Sequence, residues 1–105
     1  MMVGDVEHLD RAVAFLRVQG RLDAAAAPDL RARLDGAIAD GTTQILIDLA
    51  DVPFIDSTGL GVLVSGLKAV RRADGDLRLI APGPQVRRLL RLTTLDRVFT
   101  ILETA

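Results

Sequence analysis

Between Gln44 and Arg72 the apolar pattern of the chain changes period once, and the change is abrupt. Gln44 to Leu49, QILIDL, is too short for a helix, is rich in Ile and Leu, and carries Asp48 near its end. It reads as a buried central strand. From Ser57 to Arg72 the apolar residues fall instead at Leu60, Leu63, Val64, Leu67 and Val70, with Lys68, Arg71 and Arg72 off that stripe. This is the spacing of a helix that turns one face to a core. A strand that runs through a short turn into such a helix confines the chain to folds that lay helices against a sheet.

The flanking segments extend the same pattern. Val3 to Leu9 and Ala12 to Gln19 are two short stretches separated by Asp10-Arg11, the second alternating in polarity, and they predict a β-hairpin ended by Gly20. In AAAAPDLRARLDGAIADG, Pro28 suits a first helical turn, Leu30, Leu34, Ala37 and Ile38 share a face, and Gly41 closes the helix. Asp74-Gly75-Asp76 makes a turn into a further strand, Leu77 to Ala81. Pro82, Gly83 and Pro84 then open a helix lined by Val86, Leu89 and Leu90, and Val98 to Leu102 reads as an edge strand. The order is β-β-α-β-α-β-α. Helices of this length normally connect parallel strands in the right-handed sense, so the expected class is α/β, a mixed four- to five-stranded sheet packed against helices, with the hairpin as its antiparallel part.

At 105 residues the chain suits one domain, residues 1–105, that buries roughly 60 to 70% of its surface. It has no cysteine, so disulfide scaffolds, thiolate zinc sites and cysteine nucleophiles are excluded together. No apolar run approaches the roughly 18 to 20 residues of a membrane span, and MMVGDVEHLD lacks a basic-then-apolar signal pattern, so a cytoplasmic location without membrane insertion is expected. The net charge of -1 gives no support for direct nucleic-acid binding. Basic residues exceed acidic ones only from Lys68 onward.

Few residues offer chemistry. The one histidine, His8, cannot build a His-rich metal site and reads as a turn or surface residue, and no glycine loop of phosphate-cradling type follows a strand. Asp23, Asp48, Asp51 and Asp56 lack a companion base or electrophile. They read as separate groups: Asp23 before a helix, Asp48 and Asp51 in a strand-end turn, Asp56 as an N-cap. Arg87, Arg88 and Arg91 read as a solvated face, with a docking patch for an acidic partner as the alternative. No metal or cofactor is implied.

The stretch Phe54 to Gly61, FIDSTGLG, is more specific. Asp56 can accept backbone N–H bonds as a cap, which puts Ser57 and Thr58 in a first helical turn where exposed N–H groups and the helix dipole favour negative charge. A phosphate on Ser57 would meet that field, and beside Asp56 it would change strongly what can dock there. Gly59 and Gly61 remove side chains from the same turn and admit another backbone. Spacing alone leaves two readings open: capping with close helix-to-strand packing, or a surface built for modification and docking.

Three segments, VAFLRVQGRLDAAAAPDLRARL, QILIDLADVPFIDSTGLGVLV and LRLIAPGPQVRRLLRLTTLDRVF, together resemble the STAS domain family, and within it the stand-alone bacterial anti-sigma factor antagonists. The middle segment, an apolar run and Asp before D-S-[ST]-G-L-G, carries most of the likeness. The resemblance implies the STAS fold and a protein without catalysis of its own. It implies that Ser57, with Thr58 as the alternative, is phosphorylated by an anti-sigma factor that is also an ATP-dependent serine kinase, and that a metal-dependent serine phosphatase reverses this. The unphosphorylated form would bind the anti-sigma factor and release a sigma factor for transcription. Asp23, Asp56, Ser57, Thr58, Gly59, Leu60 and Gly61 would form the partner-binding region, and a monomer is expected. Two departures stand out: Arg21 where the family often has Glu, which would shift the charge preference for partners, and Thr94 where it often has Gly, which implies a differently shaped turn. The alternative function is a STAS subunit of a membrane transport complex such as a phospholipid-transport ATPase. Ser57 as an enzymatic nucleophile lacks a base.

Overall fold

A computed structural model of the chain describes residues 2–3, 6–8 and 12–104. Met2–Val3 (β1) and Glu7–His8 (β2) both pair antiparallel with Val13–Gln19 (β3), in registers such as Val3 with Val18 and Glu7 with Phe15. The expected hairpin is present, with its outer strand described in two short pieces. Its Asp10-Arg11 turn lies outside the described residues.

From β3 the sheet continues in parallel through Gln44–Asp51 (β4), Asp76–Ile80 (β5) and Thr100–Leu102 (β6). Because β1 and β2 share one edge of β3, the described sheet is five strands wide, with β4 central. The connections are the helices Ala27–Ala39 (α1), Ser57–Arg71 (α2) and Pro84–Leu92 (α3), the last followed by a 3-10 turn, Leu95–Arg97. Val98 to Leu102, read as an edge strand, pairs as one over Thr100–Leu102.

Period-2 alternation explains which sheet face is covered. Ala14, Leu16 and Val18, Ile45, Ile47 and Leu49, and Leu77 and Leu79 are all buried. Apart from Ala14, these residues form one core cluster with Leu30 and Leu34 of α1, Leu63, Leu67 and Val70 of α2, and Val86 and Leu90 of α3. β4 is central, as QILIDL implies, but it is sealed on that face alone: Leu46 and Asp48 on the other face are only half-buried. The strand also runs two residues past Leu49, so Asp48 lies inside it rather than in a turn. There Asp48 accepts the Ala50 N–H at 2.9 Å and meets Arg17 of the neighbouring strand at 3.4 Å.

The helix on which the site depends is more deeply set than its leucine pattern suggests. Gly59, Val62 and Gly66 are buried with the leucines of α2, while Val64 is only partly covered. A Cβ on Gly66 would stand 3.1 Å from both Leu34 of α1 and Leu77 of β5, so the bare glycine lets α2 settle between them. The end of α3 also differs from expectation. Thr94 adopts φ 60°, the left-handed conformation usually left to glycine, so the turn keeps that shape despite its side chain. This reversal returns the chain to the core, where Phe99 is buried.

Candidate functional site

The loop before α2 starts from a buried anchor. Leu22 and Ile55, 0% and 1% exposed, form an isolated parallel bridge beyond the ends of β3 and β4. The Leu22 N–H donates to the Phe54 carbonyl at 2.9 Å, and the Asp56 N–H donates to the Leu22 carbonyl at 3.3 Å. Asp56 then has the extended backbone of an N-cap, φ -106° and ψ -177°. Its Oδ1 accepts the Gly59 N–H at 2.9 Å, and its Oδ2 accepts the Ala24 N–H at 3.2 Å. One carboxylate thus caps α2 and ties the approach to α1 against it.

Asp23 serves that approach. Its carboxylate accepts the Ala26 N–H at 3.2 Å and lies 3.7 Å from the Arg21 guanidinium. Arg21, largely exposed, stacks over the Phe54 ring at 4.1 Å. A cation over an aromatic face at this distance is attracted by the ring quadrupole. Arg21, Asp23, Ala25, Ala26 and Asp29 line an open depression of about 320 Å³ beside the loop.

Apart from Asp23, the residues expected to bind a partner divide into two groups. Gly59 and Leu60, the latter 4% exposed, are buried, and Asp56, half-buried, has both carboxylate oxygens taken up by backbone N–H groups. A Cβ on Gly59 would overlap the Leu22 carbonyl oxygen and stand 2.8 Å from Leu22 Cγ. Ser57, Thr58 and Gly61 are exposed, and a Cβ on Gly61 would meet nothing within 4 Å. Ser57 and Thr58 occupy the first two positions of α2, where backbone N–H groups have no intrahelical acceptor, and no acidic side chain sits in that turn. The exposed tip therefore offers two hydroxyls, free donors and the positive end of a dipole.

The structure draws in one element that residue patterns do not flag. The Gln85 amide accepts the Ile55 N–H at 2.8 Å and donates to the Ile55 carbonyl at 2.9 Å. Nothing in the arginine-rich sequence of α3 signals this. Of the arginines read as a solvated face, Arg88 and Arg91 are exposed, but Arg87 is not free: it donates to the Pro82 carbonyl and to Glu103, both at 2.6 Å.

Other candidate groups stay apart. Among the described residues no three His, Asp or Glu side chains converge, and Asp51 lies exposed at the end of β4. His8 pairs with Ala14 near the start of β3, whereas Ser57 lies past the far ends of β3 and β4. At about 3.3 Å per strand residue, that span leaves His8 too far to act on Ser57 as a base. Among the described residues no helix is long and apolar enough to cross a membrane.

Comparison with known proteins agrees with this architecture. The STAS domain model matches residues 5–105. The anti-sigma-B factor antagonist of Staphylococcus aureus is 34% identical over 88 residues, 84% of this chain and 82% of that protein. The structure of an anti-sigma factor antagonist from Mycobacterium paratuberculosis superposes with a TM-score of 0.85 at 31% identity, covering 98% of this chain and 87% of that one. The Bacillus cell fate determinant SpoIIAA in its phosphorylated form superposes with a TM-score of 0.75 at 26% identity, covering 92% and 88%. The match along nearly the whole chain and the shared sheet-and-helix order place this protein in the STAS domain family, among the anti-sigma factor antagonists.

Proposed function

We propose that this chain is a phosphorylation-controlled partner switch. Unphosphorylated, it binds an anti-sigma factor through the exposed start of α2 and so releases a sigma factor for transcription. Phosphorylation of Ser57 by that anti-sigma factor, acting as an ATP-dependent serine kinase, ends the interaction, and a metal-dependent serine phosphatase restores it. The observation that carries this reading is the division of the site: Asp56, Gly59 and Leu60 build the helix start, while Ser57, Thr58 and Gly61 face solvent.

A helix start of this kind suits such a switch. The dipole and free N–H groups offset part of a phosphate's charge, so the fold tolerates the modification. A partner fitted to the bare tip does not, because it would have to accommodate roughly two further negative charges beside Asp56.

The test uses purified kinase-type anti-sigma factors with ATP, and the wild type beside Ser57→Ala and Ser57→Asp. One phosphate should appear on Ser57 by mass spectrometry and vanish in Ser57→Ala. Wild type and Ser57→Ala should bind the kinase, and Ser57→Asp should bind it weakly. Phosphate on Thr58 would move the site by one residue. Equal binding by all three variants, or co-purification with a transport ATPase and no anti-sigma factor, would overturn the assignment.

A further inference from the structure

The Leu22–Ile55 bridge has a consequence for the backbone beside Ser57. In a parallel bridge the central residue's neighbours make the hydrogen bonds, here Phe54 through its carbonyl and Asp56 through its N–H. Ile55's own N–H and C=O therefore point to the opposite side, in a residue that is 1% exposed. Left alone, they would be a buried donor and acceptor without partners. The Gln85 amide meets both, at 2.8 and 2.9 Å, and so stands in for an adjoining strand.

Gln85 is itself rigidly mounted. It sits in the first turn of α3, between Pro84 and Val86, and Val86 and Leu90 are 0% exposed. Two residues on, Arg87 fastens the same turn to the Pro82 carbonyl and to Glu103. The Ile55 peptide is thus fixed from both sides, and Asp56 and Ser57 follow it directly in the chain.

We infer that Gln85 is a positioning residue of the Ser57 switch: it holds the Ile55 peptide so that Asp56 caps α2 and the Ser57 hydroxyl is presented in one backbone geometry. The inference rests on the reading of Ser57 as phosphoacceptor. Gln85 acts on the step of phosphoryl transfer rather than on docking, because its amide is already engaged by the Ile55 backbone and is not offered to a partner.

The experiment has two arms. In the first, amide hydrogen exchange is followed by NMR in the wild type, Gln85→Ala and Gln85→Glu. The Ile55 and Asp56 amides should exchange about tenfold faster in Gln85→Ala, with Leu63 and Leu67 in α2 little changed. A glutamate carboxylate can accept from the Ile55 N–H but cannot donate to its carbonyl, whereas a protonated carboxyl can do both. Gln85→Glu should therefore keep part of the Ile55 amide's protection at about pH 7, lying between Gln85→Ala and wild type, and recover further toward wild type at about pH 3.5, each compared with wild type at the same pH.

In the second arm, a kinase-type anti-sigma factor that phosphorylates the wild type is used to measure transfer to each variant. Gln85→Ala should lower kcat by about tenfold and leave KM nearly unchanged, the pattern of a lost contribution to reacting geometry. Uniform acceleration of all amides would make Gln85 a general stability element and overturn the inference. So would an unchanged Ile55 amide, or a rise in KM at constant kcat. If no such kinase modifies the wild type, the proposed function fails, while the exchange arm still decides whether Gln85 holds the loop.

Discussion

The two glycines of GLG lie two residues apart in one turn of α2, the first buried and the second exposed, so substitution by alanine should change stability in opposite directions. Alanine is preferred to glycine within a helix by about 1 kcal/mol, and both sites receive that gain. At Gly61 nothing lies within 4 Å of a new Cβ, so the gain stands alone. Gly61→Ala should stabilise the protein by about 1 kcal/mol, raising Tm by roughly 4 to 8 °C for a domain near this size. At Gly59 the new Cβ overlaps the Leu22 carbonyl oxygen and stands 3.1 Å from Ile55 Cγ1. Leu22 must recede, which strains a packed site by about 1 to 3 kcal/mol. Its bonds with Phe54 and Asp56 are then lost, at about 1 kcal/mol each. After the helix gain is subtracted, Gly59→Ala should destabilise by about 2 to 4 kcal/mol and lower Tm by roughly 10 to 25 °C. The chain has no Trp or Tyr, so urea unfolding is best followed by far-UV circular dichroism. A Gly59→Ala protein within about 1 kcal/mol of wild type would refute the packing argument. A destabilised Gly61→Ala would show that the outer glycine is needed by the fold itself.

Substitutions at three further positions test the site and its supports. Asp56→Ala removes the acceptor of the Gly59 and Ala24 N–H groups and should cost about 2 kcal/mol in the same unfolding assay; Asp56→Asn, which keeps an acceptor oxygen for Gly59, should lose less than half of that. Thr94→Gly relieves a left-handed residue and should stabilise by about 0.5 to 1 kcal/mol once the greater freedom of the unfolded chain is counted, so a lowered Tm would contradict the account of that turn. Ser57→Asp places a carboxylate in a first turn that has none and should stabilise by about 0.3 to 1 kcal/mol, with a smaller gain at about 0.5 M than at about 0.05 M salt. Melting curves at the two salt concentrations check this independently of any partner.

The segments legible in the sequence are those whose information is local. QILIDL, the DST cap and the leucines of α2 each declare themselves within one strand or one turn, by period and by cap chemistry. The parallel sense of the strands joined by helices followed from those connections in the same way. Gln85 was not legible, because its meaning depends on the direction of the Ile55 N–H and C=O, set by a bridge to Leu22, while Gln85 itself stands 30 residues away. Val62 and Gly66 were missed for a related reason. A helix wedged between α1 and the sheet buries a broader arc than a leucine stripe shows, and glycine has no side chain to register in a hydrophobic pattern. The open face of β4 was hidden as well. An apolar residue at Leu46 looks like burial on both sides until the helices are seen to cover only the other face.

The same division between inward and outward residues bears on how the proposed switch acts. A modification can work by remodelling a fold or by changing its surface, and the loop before α2 leaves little room for the first. Ile55 is held on one side through Leu22 and on the other by Gln85, and Asp56 holds both the helix start and Ala24. A phosphate on Ser57 joins an exposed position outside this network, at a helix end whose field favours negative charge. It would therefore strain none of the bonds that place it. On the proposed function, the signal lies in charge and bulk added to a rigid tip, and the partner pays for the mismatch because the fold does not bend. That requirement gives the inner residues of the motif their role: a tip free to yield could fit the same partner with or without the phosphate, whereas a fixed one makes the two states different surfaces.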